Sequence, residues 1–305
     1  MKFRQYLLLA LKGCAMGSAD VVPGVSGGTI AFISGIYDEL IDSIRSFDAE
    51  ALRLLVRGRF AALWHHVNGR FLLPVAAGIG VAVFSLARLM TYLLEHRPIE
   101  IRSFFFGLIV ASALLMAKEV GRWGAATGAA FVAGCVAAWW ITVATPAQTP
   151  DAWWFVMLSG AIAICAMILP GISGAFILLL LGKYDFIMRA VSELDLPVLA
   201  LFLIGAAVGI VSFSHLLSWL LKHRRDVTVA TLVGFMVGSL NKVWPWRVSL
   251  VEESLAERNV LPGTFEATMA QDGRLWLAAA LCAAGFLTIW GIERIAAAVS
   301  RKRGA

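Results

Sequence analysis

The sequence predicts an all-α polytopic membrane protein of two inverted-topology repeats, each opened by a Pro-Gly-broken, re-entrant helical hairpin. Three observations carry this reading. Of 305 residues, 60% are hydrophobic and only 15% charged, with a mean hydropathy of +0.80, whereas soluble chains are about 25% charged. A block built around Pro-Gly-x-Ser-Gly occurs twice. The basic residues sort the connecting segments into two faces.

Ten apolar segments follow one another, at about 5–22, 27–44, 71–94, 102–117, 123–143, 152–169, 173–191, 197–221, 227–243 and 275–298. Several are shorter than the ~20 residues a spanning helix needs. The first two meet at Pro23-Gly24 and the sixth and seventh at Pro170-Gly171. Such short interrupted pairs suit re-entrant hairpins as well as full spans.

The repeat is direct. Residues 23–41 read PGVSGGTIAFISGIYDELI and 170–188 read PGISGAFILLLLGKYDFIM, eight identities in 19 at a constant offset of 170 − 23 = 147. Similarity resumes between 78–112 and 205–239, 11 identities in 35 at an offset of 205 − 78 = 127. The first half therefore holds about 147 − 127 = 20 additional residues, within 45–70. That stretch carries Arg45, Arg53, Arg57, Arg59 and Arg70 and reads as an amphipathic surface helix on the cytoplasmic face. A single membrane domain results, with the first repeat in 1–143 and the second in 152–298.

Residues 144–151 contain no Lys or Arg and lie between Trp139-Trp140 and Trp153-Trp154, an outside loop between aromatic belts. The basic stretches 45–70, 118–122, 222–225 and 301–303 then lie inside, as do both termini. The stretch 241–274, with an outside loop at about 244–274, falls outside despite Lys242, Arg247, Arg258 and Arg274, which Glu252, Glu253, Glu257 and Glu266 accompany; long loops obey the charge rule poorly. Each half has an odd number of crossings whether or not its hairpin is re-entrant, so the second half is inverted and the breaks meet near the midplane. Secondary transporters place substrate at such broken helices. Leu11-Lys12-Gly13-Cys14 loosely resembles a lipoprotein cleavage box, but the run before it is short and Lys12 is out of place, so the N-terminus is expected to be retained. Cys14, Cys135, Cys165 and Cys282 read as packing residues, and neither a metal nor a cofactor is expected. The net charge of +6 sets topology and implies no nucleic-acid partner.

Proline removes a backbone donor and glycine permits close approach. Pro23, Gly24, Pro170 and Gly171 are the helix-break residues. Ser26 and Ser173 stand at N-cap positions, and the N–H groups of Gly27, Gly28 and Thr29, and of Gly174 and Ala175, are expected to face an anion such as phosphate. Arg88, deep in the third segment, is the expected phosphate-binding cation, or else the structural partner of a carboxylate such as Asp20. Asp20 and His215 are coupling or gating candidates. Tyr37-Asp38 and Tyr184-Asp185 suit interfacial anchoring or substrate contact, and Lys12 and Lys183 suit snorkelling or a lipid phosphate. Asp20, Gly28 and Thr29 match Met167, Ala175 and Phe176, so the first break, the more polar one, is expected to dominate binding.

The run Gly17-Ser18-Ala19-Asp20-Val21-Val22-Pro23-Gly24-Val25-Ser26-Gly27-Gly28-Thr29, followed by Gly35-Ile36-Tyr37, resembles the signature of the prokaryotic polyprenyl-phosphate (undecaprenyl-phosphate) transporters, formerly a domain of unknown function. The resemblance spans nearly the whole chain, including Pro170–Gly174. It implies a flippase of the bacterial cytoplasmic (inner) membrane. Such a protein returns undecaprenyl phosphate from the outer to the cytoplasmic leaflet after cell-wall glycan transfer. It assigns no site residues. An unshielded phosphate in hydrocarbon has an idealised cost of order 20 kcal/mol, which helix ends, serines and one cation would lower. Inward movement of about −1.5 to −2 charges against 100 mV opposes about 3.5–4.6 kcal/mol, so proton or sodium coupling is expected. The polyprenyl lipid and membrane lipids are the expected partners, with a homo-oligomer left open.

Two rivals remain. Undecaprenyl-pyrophosphate phosphatases have a motif similar to PGISG, but Gly174-Ala175-Phe176 replaces the Arg and additional Ser expected there. Their paired glutamates are missing from the membrane segments, since Glu253 and Glu257 lie in a loop. A small-anion channel or transporter would use the same helix ends.

Overall fold

The computed structural model describes residues 3–20, 26–144, 149–249 and 257–301. In chain order the helices are α1 (Phe3–Asp20), α2 (Gly27–Ile33), α3 (Tyr37–Arg45), α4 (Ala49–Val56), α5 (Phe60–His66), α6 (Gly69–His96), α7 (Pro98–Ala117) and α8 (Ala125–Val143). After the intervening loop come α9 (Trp153–Ile168), α10 (Gly174–Leu180), α11 (Tyr184–Glu193), α12 (Leu196–His223) and α13 (Arg225–Ser239). Strands β1 (Arg247–Ser249) and β2 (Glu257–Asn259) pair antiparallel, and α14 (Pro262–Met269) and α15 (Leu275–Arg301) complete the chain.

The protein is an all-helical membrane protein apart from that short hairpin. Among the described residues, α7, α8 and α12 are each long and apolar enough to cross a bilayer, and the bent pair Phe60–His66 with Gly69–Val83 passes the same test as one broken unit. Two segments that read as continuous are each divided. Residues 27–44 form α2 and α3, and 173–191 form α10 and α11. The dividers are Gly35 (φ 70°) and Gly182 (φ 60°), 147 residues apart, both in the left-handed region that side chains resist. At 1.5 Å per residue, the seven residues of α2 or α10 rise only about 10 Å, so neither crosses a bilayer alone.

Packing repeats with the sequence. α1 lies along α6, and α9 along α12. Gly13 of α1 abuts Val75, and Gly78 of α6 abuts Ala10 and Cys14. Their counterparts do the same: Gly160 abuts Phe202 and Ala206, and Gly205 abuts Met157. The remaining long helices pair across the halves, α7 with α15 and α8 with α13. Gly107 meets the Cys282 carbonyl and Gly285 the Phe104 carbonyl; likewise Gly234 meets the Phe131 carbonyl and Gly134 the Thr231 carbonyl. Small residues at such seams let helix backbones touch where lipid supplies no hydrophobic drive. The links α6–α7 and α12–α13 share one geometry, Arg97 at φ −138°, ψ 47° and Arg224 at φ −139°, ψ 46°.

Polar contacts divide the helix ends into two sets. At one end, Asp38 pairs with Arg225 (3.1 Å), Asp42 with Lys222 (3.0 Å), and Asp226 accepts from the Gly121 and Arg122 N–H groups. At the other, Lys183 binds Thr149 O (2.9 Å) and the Asp151 carboxylate, Asn241 donates to Thr142, and Glu100 pairs with Arg274. α8 and α13 each run from the first set to the second, and α7 runs back. The stretch 244–274, expected as a loop, carries β1, β2 and α14 over a small core of Trp246, Val248, Phe265, Ile99 and Ala278.

The 45–70 insertion is two helices rather than one, parted at Gly58 (φ 66°). It exposes Phe47, Leu52, Leu55, Val56, Phe60 and Trp64, the composition of a helix pair lying in an interface. Asp48 caps α4, accepting from the N–H groups of Glu50 and Ala51 (3.0 and 2.9 Å) and meeting His66 Nε2 at 3.0 Å. The Ala51 N–H and then His66 hold its carboxyl below the ordinary value. A depressed folded-state value stabilises above the unfolded one, about 3.9, and that contribution disappears as pH falls through the carboxylate range. Hydrogen exchange should therefore show α4 amides losing protection on acidification to pH 3. Asp48→Ala, costing about 1 kcal/mol, should show the same loss at neutral pH.

Candidate functional site

Pro23 and Gly24 lie outside the described residues; the site is visible from Ser26 onward. Ser26 is extended (φ −125°, ψ 137°), 1% exposed, and caps α2. Its Oγ accepts from the Gly28 N–H at 3.1 Å and donates to Met167 O at 2.9 Å. The Gly27 N–H donates to Asp20 Oδ1 at 2.6 Å, and the Thr29 N–H to Ser26 O at 2.9 Å. The three donors of the first break that were expected to face an anion are thus already engaged. The carboxylate of Asp20 occupies the helix start, where a negative charge is favoured. A Cβ on Gly27 would strike that carboxylate, and one on Gly28 would strike the Ile168 carbonyl. Glycine at both positions admits Asp20 from one side and α9 from the other.

The breaks meet. Besides the Ser26 bond, the Tyr37 hydroxyl donates to Ile168 O at 3.2 Å. Both acceptors lie within three residues of Pro170, so the starts of α2 and α3 are each tied to the end of α9. Tyr37 is buried here, which removes it from an interfacial role, whereas Tyr184 stays partly exposed.

The second break is built alike with different chemistry. Gly171 (φ 88°) brings the backbone against Phe235, Met236 and Ser239. Ser173 is extended and precedes α10 without a side-chain cap bond. The Met167 side chain covers Gly174 as Asp20 covers Gly27, a thioether in place of a carboxylate. Ser173 opens instead into a cleft lined by Gly171, Ile172, Phe176, Ala138, Ile141, Thr142 and Lys242. Lys242 Nζ lies 4.3 Å from the centre of the Phe176 ring.

Arg88 lies on α6, and its side chain is outside the described residues. His215, its counterpart on α12, is exposed, and its Nδ1 meets Val211 O of its own helix at 2.8 Å; no described hydrogen bond joins it to a break. Lys12 donates to Ser34 O at 2.6 Å and so closes the end of α2. Lys183 does not snorkel: it is 1% exposed, between the Phe155 and Phe186 rings. Sequence reasoning missed Lys242, grouped there with the outer segment, and the Met167 and Ile168 carbonyls, which no residue type announces.

Residues 16–259 match the model of the VCA0040-like family, described as undecaprenyl phosphate translocase-like. The chain belongs to this family. Among its members' relatives, a protein of Vibrio cholerae serotype O1 named polyprenyl-phosphate transporter is 45% identical over 303 residues, covering 97% of this chain and 98% of its own. A protein of Staphylococcus aureus with the same name is 34% identical over 267 residues, covering 79% of this chain and 90% of its own. No solved structure matches significantly. The family's matched region contains both breaks and the whole of α2–α13.

Proposed function

We propose that this protein carries polyprenyl phosphate, undecaprenyl phosphate in particular, from the outer to the cytoplasmic leaflet of the bacterial inner membrane. The observation that carries the reading is the pair of bonds tying the first break to the residues preceding the second, Ser26 to Met167 and Tyr37 to Ile168, in a chain whose relatives are named for that substrate. The phosphate binds between Ser26–Thr29, Ser173–Gly174 and Arg88, and reaches the Gly27 N–H by displacing the Asp20 carboxylate. The tail stays in lipid.

The halves are inverted repeats with re-entrant hairpins, and both termini are cytoplasmic. Supporting this are the matched glycine seams, the short hairpin helices, and the basic residues at the end holding Arg45, Lys222 and Arg225. Proton or sodium coupling operates through Asp20, with His215 as the second candidate. No phosphate ester is cleaved.

The test is a leaflet assay with labelled undecaprenyl phosphate in liposomes. Ser26→Ala, Ser173→Ala and Arg88→Ala should each slow headgroup movement at least tenfold, the scale of one charge-assisted hydrogen bond. Wild-type rates in all three folded variants would reject the site. Rates indifferent to both ion gradients would reject coupling. Phosphate release that Ser173→Ala abolishes would favour the phosphatase reading instead.

A further inference from the structure

We propose that Lys242, beside Ser173 of the second break, forms a docking site that takes the phosphate monoester of a membrane lipid at headgroup depth, before it reaches the first break. This rests on the carrier reading above and adds a recruiting site to it.

Depth is the first argument. Thr142, next to last in α8, lies just beyond Trp139 and Trp140, which are exposed, as are Trp153 and Trp154 across the loop. Indole rings so grouped mark the headgroup level of a bilayer. Lys242 follows α13 and reaches the same level. The cleft therefore lies where lipid phosphates lie.

The chemistry of the cleft agrees with that occupant. One part of its wall carries the Lys242 ammonium and the Ser173 hydroxyl, the Thr142 hydroxyl being engaged by Trp139 O, and the rest is Ala138, Ile141, Ile172 and Phe176. A few polar groups on an apolar wall orient an amphiphile by its head. The Phe176 ring, 4.3 Å from Lys242 Nζ, holds the ammonium at the wall through a cation–π contact. Lysine is a point charge that accepts phosphate from several directions, suited to capture rather than to fixed geometry.

The site is also braced. Thr142 Oγ1 accepts from Asn241 Nδ2 at 2.7 Å, and Asn259 Nδ2 donates to Asn241 Oδ1 at 2.7 Å and to Asn241 O at 2.8 Å. The β1–β2 hairpin thereby fixes the residue beside Lys242. Supporting bonds of this kind hold a binding group in place, and they give the outer hairpin a purpose.

The first break has no equivalent. At the 127-residue offset Lys242 matches Leu115, and at the 147-residue offset Phe176 matches Thr29. The break that is poorer in polar residues along its own segment receives its cation from the end of α13. The outer, second break thus captures the head, and the first, with its carboxylate, handles it afterwards.

The experiment measures binding of labelled undecaprenyl phosphate to protein in nanodiscs, with the leaflet assay alongside, for wild type, Lys242→Gln, Lys242→Arg and Phe176→Leu. Lys242→Gln should bind about tenfold more weakly and raise the lipid density for half-maximal movement, leaving the maximal rate within twofold. Lys242→Arg should restore binding to within about threefold, and Phe176→Leu should fall between. Undecaprenol, which lacks the phosphate, should bind wild type and Lys242→Gln alike; a loss there would mean mere packing and overturn the proposal. Inorganic phosphate that displaces the lipid at equal concentration would show a soluble-phosphate site and overturn the lipid assignment. Wild-type binding by a folded Lys242→Gln, with movement intact, overturns the docking site alone. A wild-type protein that neither binds nor moves the lipid overturns the carrier reading, and this site with it.

Discussion

Leucine at Gly107 or at Gly234 should unfold the membrane bundle, and by comparable amounts. A Cβ at Gly107 would run into the Cys282 carbonyl, and one at Gly234 into the Phe131 carbonyl. In both cases the obstacle is backbone, which no rotamer change can move aside. The helices must part, and a seam held by dispersion contacts alone loses them along its length. Overpacking costs about 1–3 kcal/mol where side chains can yield, so ~3 kcal/mol is a floor here. At roughly 2–4 °C per kcal/mol for a large domain, each variant should melt at least about 6–12 °C lower in detergent. Gly80 is the control, because a Cβ there meets nothing within 4 Å; Gly80→Leu should leave the midpoint nearly unchanged. If Gly234→Leu melts like wild type while Gly107→Leu does not, the two seams are not equivalent and the repeat does not extend to helix packing.

Leucine at Asp20 should reduce lipid movement about a hundredfold or more, while Met167→Leu leaves it within twofold. The two positions are 147 residues apart and cover matching glycines, but only Asp20 accepts a hydrogen bond from the helix start, Gly27 N–H at 2.6 Å. Removing it leaves a donor in apolar surroundings, at about 1–3 kcal/mol, and deletes the one acidic group at the junction of α1 and α2. Asp20→Asn separates these effects. Its amide oxygen can keep the Gly27 bond, so stability should be nearly retained, while any step that needs a negative charge or a proton at this position stops. Normal movement by Asp20→Asn would end the assignment of coupling to this residue. Loss of ion dependence with residual downhill movement would be its clearest support.

Much of this architecture was legible in the residues because its signals are local. Proline and glycine at fixed spacing mark the breaks, and the 147-residue offset pairs Gly35 with Gly182 and Ser26 with Ser173. What the residues hid was long-range. Gly134 and Gly285 stand 151 residues apart and make matching seams, but their surroundings, VAGC and AAGF, share too little to align. Helix seams in lipid need only small residues, and small residues abound in such a chain. The state of the α2 donors was hidden too. A serine and two glycines imply open N–H groups, and only folding shows that Asp20, seven residues earlier, has already taken one. Lys242 escaped for a similar reason: it belongs to the second break by space and to the outer segment by sequence.

The crossed pairing of the long helices also bears on how the protein is made. α7 finds its glycine partner in α15, the last helix of the chain, and α8 finds its partner in α13. From Ala117 to Leu275 the ribosome adds 275 − 117 = 158 residues, roughly 8 to 32 s at 5–20 residues per second. Throughout that interval the bare Gly107 seam faces lipid or the insertion machinery. Neither half can close by itself, so until α15 is made the Gly107 face of α7 lacks its seam, and α2, α6 and α13 hold that helix in place.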